Sequence, residues 1–229
     1  RLLYCNLNSA KAQPTAVMIP IMEFMNHHNN GAPFDNLYNK EAGALATKTS
    51  MPLDDSDECF SNYGRFDAMD TYLHYGFVDN SAPFVRSIPV EIDLEGIGRL
   101  SIGATNTVIK RNEVPKSVQD LTFYFPNIFI NEALQAAKLS HIFIPQDNAR
   151  FSMRRILELI IQSMKPSIDE KLCLAGILEA EKKIIEVNKN YYKDLEKLKN
   201  DAANQGFYAS LDDLIKAQSQ KISQYENLF

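Results

Sequence analysis

Hydrophobic positions recur every second residue in one part of the chain and every third or fourth in another. Ile88, Val90, Ile92 and Leu94 alternate with other residues, Glu95-Gly96-Ile97-Gly98 interrupts them, and Leu100 and Ile102 resume the alternation. That pattern predicts a β-hairpin with a glycine-rich turn. Met153, Ile156, Leu157, Ile160, Ile161 and Met164 instead form the stripe of an amphipathic helix, which Pro166 ends. Ser167-Ile168-Asp169-Glu170 has the order of a capping box and opens a second helix. Ile177, Ala180, Ile184, Val187, Tyr191, Leu195 and Leu198 mark its seam, and at 1.5 Å per residue it would be about 45 Å long. Gly206 breaks it, and Leu211, Leu214, Ile215, Ile222 and Tyr225 continue on a third. The helical period is expected from just beyond Asn131, and Met153 to Phe229 is expected to be separable as a helical domain.

The first part of the chain is less regular. Arg1 to Ala12 has no clean period and reads as strand or loop. Thr15 to Ile21 is β-branched and apolar, a buried strand bending at Pro20. Asn29 to Lys40 reads as a surface loop, Glu41 to Thr49 as a modest strand, and Met51 to Asp57 as an acidic turn. Leu121 to Phe125 is a short strand or a lead-in to Pro126. Between these, Cys59 to Tyr63 is a brief strand stopped by Gly64. Asp67 can cap a two-turn helix through Ala68, Met69, Tyr72 and Leu73, and Gly76 provides a left-handed stop. The presence of both period-2 and period-3.6 stretches gives an α+β fold class.

Composition narrows the function. The 229 residues suffice for one large or two small domains, and 45% hydrophobic with 23% charged residues is ordinary for a globular protein. A net charge of −5 argues against a general nucleic-acid binder, and no apolar run is long enough to span a bilayer. Cys5, Cys59 and Cys173 lie far apart and outside any paired spacing, so they read as reduced thiols of an intracellular protein. His27 and His28 have no ligand partners at metal-site spacing, and the Asp54, Asp55, Asp57, Glu58 cluster lacks the spacing of a calcium loop. No metal is expected.

Three segments, in order and at matching spacing, carry a resemblance. They are Pro20-Ile21-Met22-Glu23-Phe24-Met25-Asn26-His27, then Asp57-Glu58-Cys59-Phe60-Ser61-Asn62-Tyr63-Gly64, then His74-Tyr75-Gly76-Phe77. The set resembles the SET-domain protein methyltransferases, and Asn26 to Gly31 leans toward the Rubisco large-subunit methyltransferase branch, which includes the actin-histidine methyltransferase. The helical tail is similar to that branch's substrate-binding domain, with Tyr191, Tyr192, Lys193 and Leu195 in comparable places. The resemblance implies the C-terminal part of a β-rich SET domain over Arg1 to Phe84, followed by a mainly helical domain, begun by the β-hairpin, over Val85 to Phe229.

It also implies the activity: transfer of a methyl group from S-adenosylmethionine (AdoMet) to a protein lysine. A histidine acceptor, or an inactive SET-like docking module, is the alternative. Tyr63 matches the tyrosine that orients the methyl and the acceptor amine; otherwise it is a core tyrosine. Asn26 and His27 match the pair that holds AdoMet. Glu23 stands where the family often has aspartate, and Phe24 and Met25 complete that segment through backbone and packing. Tyr75, Gly76 and Phe77 match the wall of the cofactor and acceptor channel. Arg1 falls near an arginine that contacts the AdoMet carboxylate. The implied partner is a protein substrate met by a monomer. The family's glycine-containing strand–turn has no counterpart before Pro20, which implies the C-terminal part of a longer enzyme, one that binds AdoMet weakly or not at all as these 229 residues.

Overall fold

Strand pairing, not helix, joins the sequence segments that matter most. The computed structural model describes residues 3–5, 15–17, 26–33, 37–39, 44–46, 60–103, 128–145, 150–201 and 208–227. The expected turn over Met51 to Asp57 and the possible strand at Leu121 to Phe125 lie outside them. The class is α+β. Two compact units emerge, one from Arg1–Phe66 with Asp79–Ala82, the other from Asp67–Val78 with Pro83–Phe229.

In the first unit, β1 (Leu3–Cys5) pairs antiparallel with β2 (Thr15–Val17), and β4 (Leu37–Asn39) pairs antiparallel with β5 (Ala44–Ala46). The strands expected within Thr15 to Ile21 and Glu41 to Thr49 are present as these cores. β3 (Asn26–Pro33) runs parallel to β6 (Phe60–Asn62). Its pairing opens with Asn26 beside Phe60 and His27 beside Ser61, then shifts, so that Ala32 also meets Ser61. The surface loop expected over Asn29 to Lys40 is therefore corrected, because β3 reaches Pro33 and β4 follows. The segment has no apolar alternation to announce a strand. Both of its ends pair with a strand more than two dozen residues away, and a local window cannot see that.

The second unit opens with α1 (Ala68–Tyr75), capped as expected. The Asp67 side chain accepts from the Asp70 N–H, and the Asp70 side chain reaches back to the Asp67 N–H, a reciprocal capping box. Gly76 ends the helix at φ 78°, with its N–H donating to the Tyr72 carbonyl. β8 (Val90–Leu94) and β9 (Gly98–Ile102) form the expected hairpin. β9 also runs parallel to β11 (Ala136–Leu139), which pairs antiparallel with β10 (Ile128–Asn131). The sheet order is β10-β11-β9-β8, and β12 (Phe143–Pro145) pairs separately with β7 (Phe84–Arg86). Gly98 lies where β9 passes β11. At φ 142° a Cβ there would stand 1.9 Å from the Gln135 carbonyl oxygen, so only glycine fits.

The helical period does not start beyond Asn131. Two short strands, β11 and β12, come first, and α2 (Arg150–Met164) begins only at Arg150. Strands of three or four residues do not establish a period of 2, whereas the long helices do establish 3.6. α3 (Glu170–Asp201) and α4 (Tyr208–Glu226) complete the tail. The cap of α3 is corrected by two residues: Asp169, not Ser167, accepts from the Lys171 and Leu172 N–H groups.

Met153, Leu157, Ile160 and Ile161 of α2, Ile177 and Ile184 of α3, and Ile222 and Tyr225 of α4 share one buried cluster with Ile92, Leu100, Ala137, Leu139 and Ile144 of the strands. The helices consequently have no separate core, and the expectation of a separable Met153 to Phe229 domain fails on that packing. Glu181 of α3 binds the three helices from within: the Arg154 guanidinium grips it at 2.8 to 3.1 Å, and the Tyr225 hydroxyl donates to it.

Candidate functional site

Parallel pairing of β3 with β6 brings Asn26 and His27 to the residue that follows β6, Tyr63. His27 is buried, Asn26 is exposed and Tyr63 is half-buried. The Tyr63 N–H donates to His27 Nδ1 at 3.0 Å, and the two rings lie 4.9 Å apart. An Nδ1 that accepts carries no proton, so the neutral ring has its hydrogen on Nε2. That atom faces Asp79 Oδ2 at 3.2 Å.

Asp79 is the centre of a polar cluster. Its Oδ1 accepts from the Ser81 N–H at 2.8 Å, a local Asx turn, and Oδ2 accepts from the Asn29 amide at 2.8 Å. Asn29 also binds Ser81 Oγ through its own N–H and its side chain, at 3.1 and 3.3 Å. Its carbonyl accepts from the Asn62 amide at 2.8 Å, and Asn62 Oδ1 in turn accepts from the Gly64 N–H at 2.8 Å. The peptide groups on both sides of the Tyr63 side chain are thus held, one by His27 and one by Asn62. A tyrosine at a strand end becomes a fixed tyrosine by this means.

Burial by itself would raise the Asp79 carboxyl. The hydrogen bonds from His27 and Ser81, with the histidine's charge when present, outweigh it and bring the group down to about 2. The folded value lies below the ordinary 3.8, so Asp79 stabilises the first unit at pH above about 4. That contribution, of about 2 kcal/mol, should vanish as pH falls from 4 to 2. In Asp79→Asn the acid-induced unfolding of this unit, followed by NMR at Ser61 and Tyr63, should lose that steepness. An unchanged acid transition would show that Asp79 is not its origin.

Sequence reasoning missed Asp79, Ser81, Asn29 and Asn62. One signal was present: an Asp-Asn-Ser turn two residues beyond Phe77, in a chain whose buried histidine needs an acceptor for its second nitrogen. Of the other expected site residues, Glu23, Phe24, Met25 and Arg1 lie outside the described residues. Tyr75, Gly76 and Phe77 belong to the second unit, at the C-terminal end of α1. Tyr75 is 40% exposed, and its ring centroid lies 6.1 Å from that of Phe77.

Among the described residues, no group of three histidine, cysteine or acidic side chains is arranged to hold a metal, and no helix is long and apolar enough to cross a membrane. No family model, curated protein or solved structure matches the chain.

Proposed function

We propose that the chain belongs to an AdoMet-dependent protein methyltransferase that acts on lysine side chains, with Tyr63 as its catalytic residue. The observation that carries this reading is the meeting of Asn26, His27 and Tyr63 across the β3–β6 pairing. The SET family's Asn-His pair and essential tyrosine match these three positions, and separate peaks of resemblance in the sequence are neighbours in the fold.

The residues fit the cofactor with one division of labour. Both ring nitrogens of His27 are turned into the protein, Nδ1 accepting from the Tyr63 N–H and Nε2 buried 3.2 Å from Asp79 Oδ2. His27 therefore acts on AdoMet through its backbone, and its ring fixes Tyr63. Asn26 is the exposed member and supplies the side-chain amide. Bound AdoMet supplies a methyl on a positively charged sulfur. The chain's own task is to present a neutral amine in line with that methyl, with water kept out. The lysine ammonium would give up its proton to solvent before the amine is enclosed, and the product would leave as the methylammonium, so no base is needed at the transfer itself. A hydroxyl held on a rigid backbone suits this, since the reaction needs orientation more than a strong base. The protein substrate and the helical part of the second unit as its docking partner complete the reading.

Asn26 provides the test. In the natural protein, with whatever sequence flanks these residues, Asn26→Ala should weaken AdoMet binding roughly tenfold in calorimetry, the loss expected for one good hydrogen bond. Melting should move little, because Asn26 is exposed and the buried His27 contacts remain in place. Undiminished AdoMet affinity would contradict the assignment of this corner to the cofactor.

A further inference from the structure

We propose that Gln218 of α4 is a positioning residue for the Tyr75-Gly76-Phe77 corner, acting by clamping the buried Asp67 at the opposite end of α1. Asp67 is fully buried. Its carboxylate gathers three elements of the second unit: the Asp70 N–H of α1 at 2.9 Å, the Arg86 N–H of β7 at 2.7 Å, and Gln218 Nε2 of α4 at 2.7 Å. The first two bonds are to backbone and survive any side-chain change. The third comes from 151 positions away and is the only one of the three a substitution can remove.

All three donors are neutral amide groups, so the carboxylate depends on hydrogen bonds for its place in a dry site. Burial pushes its pKa up, and the three bonds oppose that. Gln218 is itself fully buried, so its amide is not shared with solvent. The Arg86 side chain is engaged with Asp70 at 2.7 Å, which ties the first turn of α1 to the same strand.

α1 is short. Eight residues do not hold a helix in water, so its persistence depends on caps and on packing. Its interior face is small: Ala68 and Thr71 are buried and Met69 packs half-buried against the core, while Leu73 is 69% exposed. A helix with so small a buried face depends on the bonds at Asp67 to hold its first turn. Loosening that end lets the whole rod shift, and Tyr75, Gly76 and Phe77 sit at its other end. The C-terminal helix thus sets the position of a corner that lies far from it in sequence.

The functional consequence rests on the methyltransferase reading, in which that corner walls the cofactor; the clamp itself does not. Gln218→Met keeps the length and removes the donor, and exposed Lys216→Ala on the same helix is the control. Hydrogen exchange at the Thr71 and Gly76 amides, which close the first and last turns of α1, should accelerate roughly tenfold or more in Gln218→Met and stay unchanged in Lys216→Ala. Amides of Ile184 to Asn188 in α3 should stay within about twofold, since an opening confined to α1 leaves the core closed. Unchanged exchange in α1, or an equal acceleration in α1 and α3, would overturn the proposal. In the natural enzyme the same variant should raise KM for AdoMet more than it lowers kcat. If α1 loosens while KM for AdoMet does not move, the clamp stands and the placement of Tyr75-Gly76-Phe77 at the cofactor falls.

Discussion

Tyr63→Phe should lower kcat for methyl transfer at least about a hundredfold while leaving the protein folded and its AdoMet affinity within about threefold of wild type. The substitution removes one hydroxyl and nothing else. The backbone N–H of residue 63 still donates to His27 Nδ1, and the Gly64 N–H still donates to Asn62. The corner that fixes the side chain is therefore retained, and stability should change by no more than about 1 kcal/mol. Single-turnover rates and thermal melting, run side by side, check both halves. Near-normal turnover would remove Tyr63 from the chemistry, and unfolding would make it a core tyrosine.

His27→Ala should have the larger structural effect, a loss of about 3 kcal/mol from the first unit. The ring accepts from the Tyr63 N–H and faces Asp79, so its removal takes the partner from that N–H and leaves the buried carboxylate with only its Ser81 and Asn29 bonds. Asp79 is 8% exposed and cannot recover its solvation by turning outward in place. Urea unfolding followed at the Ser61 and Tyr63 amides measures the loss. The double variant His27→Phe with Asp79→Ala should recover part of it, because an apolar pair no longer buries a charge. If the double variant is no more stable than His27→Ala, the stranded carboxylate is not what costs the fold.

The parts of this fold that were legible are those whose signal is local. The α1 cap at Asp67, the stop at Gly76, the β8–β9 hairpin and the stripes of α2, α3 and α4 each follow from residues within one or two turns of each other. What escaped depends on distant partners. β3 is a polar segment that becomes a strand only because β6 runs alongside it, and β10, β11 and β12 are too short to show a period. The separability of the tail was misjudged for the same reason, since a helix stripe shows that a face is buried and not what covers it.

The site divides in the same way. Asn26, His27 and Tyr63 could be singled out by resemblance, but that His27 serves Tyr63 through its ring is a fact of pairing. Asp79 had no periodic or motif signal beyond its turn. Its role comes from the geometry of a histidine with one nitrogen facing a backbone amide and the other facing a carboxylate.

The central claim is that Tyr63 directs a methyl group from AdoMet to a protein lysine. It is tested most directly by incubating the natural protein with methyl-tritiated AdoMet and its acceptor proteins, hydrolysing the products to amino acids, and separating methyl-lysines from methyl-histidines. Label is expected in methyl-lysine with the wild-type protein and almost none with Tyr63→Phe. Label confined to methyl-histidine would replace lysine by histidine as the acceptor, and no protein-bound label with either protein, or equal label with both, would contradict a catalytic Tyr63.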